Sequence, residues 1–227
     1  PPAMPMTNTQ LQAALVAASP VYARIMASVT ELANILPPSG AMAGVYTVND
    51  NLYGPWHAAA NCPINGAVNL PIRLSDSQQA FLNIDEATGK SINAIRMFNG
   101  LGILVWGART LDGNSQDWRY APVRRTVIYL EQSIREAARA YVFQPNTANT
   151  WVAVKGMIGS FLTDVWKQGG LQGASPAEAY QVDVGLGVTM TPADIQGGIM
   201  RVTLKVAVQR PAEFIVITFE QQQQTAD

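Results

Sequence analysis

The tripeptide Gly89-Lys90-Ser91 has the composition that closes a phosphate-binding loop, in which backbone N–H groups and a lysine cradle phosphates. That pattern needs a glycine five residues before Gly89, where Ile84 stands, and no predicted strand leads into it. The segment reads as an ordinary loop. His57 is the one histidine and Cys62 the one cysteine, so a single chain cannot assemble an imidazole or thiolate cluster for zinc, nor close an internal disulfide. A Ser-His-Asp site would have to use His57, which lies in an Asn/Gly/Pro-rich loop and reads as an exposed or packing residue. Asp112 and Asp117 flank a Gly-Asn turn, where aspartates commonly bond their own backbone. The fullest constellation is Trp118 with Arg119, Arg124 and Arg125, whose guanidinium groups and indole have the chemistry to grip a phosphate or stack on a base. Set against that is a helix start whose arginines meet carboxylates of the same or a neighbouring chain, since cations there oppose the helix dipole. No catalytic, cofactor-binding or metal site is assigned.

Composition points the same way. Of 227 residues 48% are hydrophobic, enough to bury a sizeable core, while only 14% are charged and the formal net charge is -1. Without a basic field, nucleic acid is not an expected partner. A charge fraction this low leaves much of the surface uncharged, as suits a protein covered by copies of itself. The lone cysteine fits synthesis in a reducing compartment. No run of roughly 18 apolar residues occurs, so direct membrane insertion is not expected, and the start lacks the basic-then-apolar signature of a secretory signal. The chain begins at Pro1 without an initiating methionine, which suggests a piece of a longer polypeptide.

The elements that must position these residues follow from periodicity. Residues 1–19 read as a linker or remnant of a preceding domain, with a short Ala-rich helix from Leu11 to Ala18. Ser19 then caps a helix with Pro20 at its first position and a buried stripe of Val21, Ile25, Val29, Leu32 and Leu36, stopped by Pro37-Pro38. Ala41 to Asp50 fits helix or strand, with helix favoured; Asn49 to Asn65 reads as loop, Val68 to Leu74 as strand, and Asp76 as the cap of a short helix through Leu82. Two β-rich runs, Ile92 to Met97 and Gly102 to Trp106, flank an Asn-Gly turn. Two long helices follow, about Tyr120 to Phe143 and Thr150 to Gln168, each with an apolar stripe; the wide stripe of the second implies burial on more than one side. Gly169-Gly170 ends it.

At the C-terminus, Met200, Val202, Leu204, Val206 and Val208 alternate with Arg201, Thr203, Lys205, Ala207 and Gln209, the pattern of a half-buried strand. After Pro211, residues Phe214, Ile215, Val216, Ile217 and Phe219 are apolar on both faces and need cover on both sides. Such a strand either docks into another subunit or lies at the centre of its own sheet. The predicted fold class is therefore α+β, a sheet of mixed strands packed by two long helices and closed by a C-terminal β-hairpin.

Several segments in consistent order resemble the C-terminal domain of contractile tail sheath proteins, found in phage tails, R-type pyocins and related extracellular injection systems. They are Pro37-Pro38-Ser39 through Tyr46, Gly54-Pro55-Trp56 through Asn61, and Gly102 through Leu111 with Trp106, Gly107 and Arg109. Asp117-Trp118-Arg119-Tyr120 continues them into Arg124 and Arg125; Val142 through Asn146, Trp151, Gly169-Gly170-Leu171 and Arg210-Pro211-Ala212-Glu213-Phe214 complete the set. The loop Trp56-His57-Ala58-Ala59-Ala60-Asn61 lacks a proline the family usually shows there. The resemblance spans about residues 20–220 and assigns residues 20–227 to the sheath C-terminal domain.

It implies a structural subunit that forms six-fold rings stacked as a helix around an inner tube, drives that tube through a target envelope on contraction, and is linked to its neighbours by strand exchange. It also implies baseplate and terminator partners, synthesis in a bacterial cytoplasm, and no cofactor. On that reading residues 214–219 are the inter-subunit strand, and Arg135, Arg139, Lys155 and Lys167, which lie off the apolar stripes, are candidate contacts to the tube or a neighbour. The family's N-terminal arm has no counterpart in this sequence. The alternative is an α/β enzyme or ligand-binding domain with unrecognised active groups.

Overall fold

The Thr7 hydroxyl accepts from the backbone N–H of Gln10 while the Gln10 side chain accepts from that of Thr7, a reciprocal cap that starts helix α1 (Asn8–Ala18) three residues before the expected Leu11. Ser19 accepts from the Tyr22 N–H and Pro20 takes the first position, so α2 (Pro20–Ala33) begins where the sequence places it. The computed structural model describes residues 6–214 and Val216. The chain divides into two compact units, Pro1–Ala43 and Gly44–Asp227. Neither α1 nor α2 has a buried residue, and the expected buried stripe of α2 is a correction: Val21, Ile25, Val29 and Leu32 are all exposed, as is Leu36 beyond the helix. Periodicity made the helix; cover for the stripe is a separate requirement. No single helix among the described residues is long and apolar enough to cross a membrane; α1 and α2 meet that test only as a pair bent by 120°.

Helix α3 (Ser39–Tyr53) runs past the expected Asp50. Next comes β1 (Cys62–Pro63). The expected strand Val68 to Leu74 is not formed; Pro71 offers no N–H to a ladder, and Val68 and Ile72 are exposed. Ser75, rather than Asp76, caps α4 (Asp76–Asn83), sharing reciprocal hydrogen bonds with Gln78. Strands β2 (Ala94–Phe98) and β3 (Gly102–Trp106) pair antiparallel, Ile95 opposite Val105 and Phe98 opposite Gly102, across the predicted Asn-Gly turn. The sheet order is β1-β3-β2, which makes β3 central and explains why the consecutive residues Ile103, Leu104 and Val105 are all buried.

The two long helices follow as α5 (Ala121–Ala138), which passes into a 3-10 turn at Arg139–Tyr141, and α6 (Ala148–Lys167). After α6 come the short α7 (Pro176–Ala179), β4 (Tyr180–Val184), the short α8 (Pro192–Gln196) and β5 (Val202–Val206). Leu130 of α5, Val154, Ile158, Leu162 and Val165 of α6, Leu171, Ala179 and Val182 form one buried cluster, against which Met200, Val202, Leu204 and Val206 pack. Thr203 and Lys205 face solvent, so the predicted alternation of this strand holds.

The α+β class is as expected, but the strands form two antiparallel sheets rather than one mixed sheet. The partner of β5 is β4, with Val182 opposite Leu204. The second half of the expected hairpin lies outside the described residues from Ile215 on, save Val216. Each strand of this ribbon pairs with one other among the described residues, leaving one backbone edge of β4 and one of β5 without a strand partner.

Candidate assembly site

Residues 106–120 carry β3 into α5, and one asparagine shapes their course. The Asn93 side chain donates to the Arg109 carbonyl at 2.9 Å and accepts from the Arg109 N–H at 2.8 Å. A Cβ on Gly107 would stand 2.7 Å from Asn93 Oδ1 and 3.0 Å from Asn93 Cα, so only glycine admits this approach. Arg109 and Tyr120 then form an antiparallel bridge, and the Ala121 N–H donates to the Ala108 carbonyl at 2.8 Å, closing the loop onto the start of α5.

The Arg109 side chain, 8% exposed, points into a polar crevice where Glu213 meets it. Arg109 Nε donates to both carboxylate oxygens at 2.9 and 3.0 Å, and Nη2 donates to Oε2 at 2.7 Å. The remaining Nη1 donates to the Asn83 carbonyl at 3.0 Å, and the Tyr120 hydroxyl donates to Glu213 at 3.1 Å. A forked, charge-assisted pair of this kind is both stronger and more directional than a neutral hydrogen bond. On the other side of Pro211, Arg210 reaches Asp117 at 3.4 Å on the surface.

The arginine cluster is engaged within the chain. Arg119 Nε donates to the Gly113 carbonyl at 3.0 Å, Arg124 lies 4.9 Å above the Trp118 ring, and Arg125 forks onto Asp50 while lying 4.7 Å from the Tyr46 ring. The hydrogen bonds that Arg125 donates to Asp50 raise its pKa, so this charge is fixed at any accessible pH. Of the three, Arg125 meets a carboxylate as expected, while Arg119 bonds a backbone carbonyl and the exposed Arg124 lies over an indole ring.

The remaining chemical candidates are structural. Asp85 accepts from the Ala87 N–H and the Thr88 hydroxyl, and its N–H donates to the Lys90 carbonyl at 2.8 Å, so a carboxylate organises the turn before Gly89-Lys90-Ser91. Thr88, above all, lowers the Asp85 pKa. His57 is exposed, with Nδ1 2.8 Å from Asn49 Oδ1 and its ring 4.6 Å from that of Tyr53. Cys62 donates to the Ala60 carbonyl, and burial pushes its thiol pKa up. Among the described residues no group of three His, Cys, Asp or Glu side chains is placed to hold a metal.

The expected assembly residues are placed unevenly. Phe214 and Val216 are exposed and lie in no strand; Ile215, Ile217 and Phe219 lie outside the described residues. Arg135, Arg139, Lys155 and Lys167 are exposed along α5, the turn after it and α6, with Arg139 paired to Glu136 at 3.0 Å. Trp106 packs its ring 4.6 Å from Phe98. Sequence reasoning missed Asn93, Asn83, Asp50 and Tyr120 as partners. It quoted Glu213 within a motif, yet nothing in the chain's local pattern could pair it with an arginine 104 positions away.

Residues 114–222 match the family described as the phage tail sheath C-terminal domain. The tail sheath protein of Vibrio phage KVP40 is 26% identical over 139 residues, covering 60% of this chain and 20% of that protein. A chain in the cryo-EM structure of the PVC sheath complex of an extracellular contractile injection system, in the contracted state, superposes with a TM-score of 0.78 at 42% identity; it covers 82% of this chain and 51% of that one. A chain of the anti-feeding prophage helical sheath in the contracted state gives 0.76 at 43% identity, with the same coverage. The chain thus spans about half the length of these solved chains and a fifth of the curated relative.

Proposed function

We propose that the chain is the C-terminal part of a contractile tail sheath protein and serves as a structural, force-transmitting subunit of a contractile sheath of the phage-tail kind. The observation that carries this reading is the 42% identity and 0.78 TM-score to a chain of a contracted sheath complex over 82% of the present chain. In the proposal, copies form six-fold rings stacked helically around an inner tube. They meet a baseplate at one end and a terminator at the other, and drive the tube through a target envelope. Residues 20–227 act as the sheath C-terminal domain, residues 1–19 as a linker or remnant of a preceding domain, and synthesis takes place in a bacterial cytoplasm.

Such a machine needs stored conformational energy rather than a cofactor: subunits in a metastable packing release free energy as new interfaces form, while flexible links keep the lattice connected. Three features suit that task. The arginines are spent on the chain's own carboxylates, rings and carbonyls, an apolar stripe stands exposed on α2, and among the described residues β4 and β5 each keep one edge without a strand partner.

The proposed linkage is strand exchange through residues 214–219. Replacing Ile215 or Ile217 with proline in the full-length subunit removes a ladder donor. Sedimentable sheath is then expected to disappear while circular dichroism of the soluble subunit is retained. Normal sheaths from either variant place the linkage elsewhere, and equal loss of fold and assembly assigns the strand to the internal core.

A further inference from the structure

Two sequence segments far apart in the chain meet at the start of α5. Asp117 and Tyr120 lie in one, Arg210 and Glu213 in the other, and Arg109 comes in beneath them from β3. We propose that Arg109, Tyr120 and Glu213 form an anchor that fixes where the C-terminal linking segment leaves the domain, so that tension on that segment passes into β3 and α5. The inference rests on the reading that residues after Glu213 link subunits.

The geometry supports an anchor rather than an incidental surface pair. The Arg109 side chain is 8% exposed and that of Glu213 21%, and a guanidinium this deeply buried requires a counter-charge. Three of its N–H···O contacts go to the two oxygens of one carboxylate, which resists both sliding and rotation. Each end is tied to a rigid element. Arg109 stands three residues beyond the end of β3, its backbone clamped on both sides by Asn93, and Tyr120 is the residue from which α5 departs. Arg210 on Asp117 adds a weaker tether before Pro211, so the turn is held on both sides of the proline. The next residue, Phe214, is exposed and, like residues 209–213, lies in no strand. Glu213 is the last half-buried residue of the chain among the described residues.

These are positioning residues, and the test separates them from ordinary stabilising contacts. In the full-length subunit, Glu213→Gln keeps the shape and removes the charge; Glu213→Asp keeps the charge with a shorter reach. Three readouts are taken: the melting midpoint, the rate at which chymotrypsin releases the fragment ending at Phe214, and the lowest protein concentration giving sedimentable sheath. Glu213→Gln is expected to lower the midpoint, because Arg109 is left buried without its counter-charge, and to speed that cleavage about tenfold and raise the assembly threshold about tenfold, more than the lost stability accounts for. Glu213→Asp is expected to recover part of both. Cleavage and threshold equal to the parent overturn the anchor, as does a melting loss that accounts for the whole assembly defect. If Glu213→Gln does not fold, Tyr120→Phe, which removes one donor and spares the ion pair, decides by the same readouts, unchanged values overturning the proposal. If the parent itself forms no sheath, the functional reading fails, and the cleavage rate in the soluble subunit still judges the anchor.

Discussion

In α6 the side chains Val154, Ile158, Leu162 and Val165 are 2%, 1%, 0% and 2% exposed, whereas in α2 the residues Val21, Ile25, Val29 and Leu32 are 57%, 54%, 51% and 70% exposed. Both helices carry apolar residues at helical spacing. The difference lies in what stands opposite: α6 faces Leu130 of α5 and the inner face of β4 and β5, while α2 has no buried residue at all. An amphipathic stripe states that a surface is to be covered, and tertiary structure decides within which molecule the cover is found. On the proposed sheath reading, the covered stripe makes the domain and the exposed one is free to serve assembly.

The sharpest way to break this contrast is to truncate one residue in each helix. Leu162→Ala or Ile158→Ala in this chain is expected to cost about 2–5 kcal/mol and lower the melting midpoint by many degrees. Ile25→Ala is expected to stay within about 0.5 kcal/mol. Chemical denaturation of the three variants checks this, and a comparable loss from Ile25→Ala would mean that α2 is packed in solution.

A smaller effect is expected from the outer faces of the same packed helices. Reversing Arg135, Arg139, Lys155 or Lys167 to glutamate removes exposed charges worth about 0–1 kcal/mol each, so the monomer should melt as the parent does. Repetition in every subunit of a sheath multiplies a small term, and assembly or contraction should shift. Assembly identical to the parent at low and high salt would remove these residues as contacts.

The smallest effect concerns the acid side. Thr191, chiefly through its backbone N–H, and then Arg201 hold the Asp194 carboxyl down at about 2, against about 3.9 for a free side chain. A lowered folded value stabilises above the unfolded pKa, and that contribution is lost as pH falls through about 2. Asp194→Asn should therefore flatten the fall in melting temperature between about pH 4 and pH 2 relative to the parent. An unchanged acid slope would show that this cap at the start of α8 adds nothing to stability.

Much of the packed region was legible because its signals are local. The 3.6-residue stripes gave α5 and α6, strict alternation gave β5 its wet and dry faces, and Asn99-Gly100 gave the hairpin between β2 and β3. Strand β4 was missed although Tyr180, Val182 and Val184 alternate with Gln181 and Asp183 in the same pattern as β5, so the local signal for it was present. The false strand at Val68 to Leu74 shows the converse, since alternation without a donor at Pro71 or a partner makes no ladder. The site was legible only in its parts. Trp106 through Tyr120 and Arg210 through Glu213 were each picked out as motifs, but that they touch is a property of topology. Of the arginine cluster, Arg125 alone meets a carboxylate among the described residues, that of Asp50, which lies 75 positions away and outside any local pattern.

The central claim is that this chain comes from a protein that builds a contractile sheath. Electron microscopy of the purified full-length protein tests it most directly. The account predicts long hollow cylinders of stacked six-fold rings; discrete particles that show no ordered assembly and turn over a substrate would contradict it.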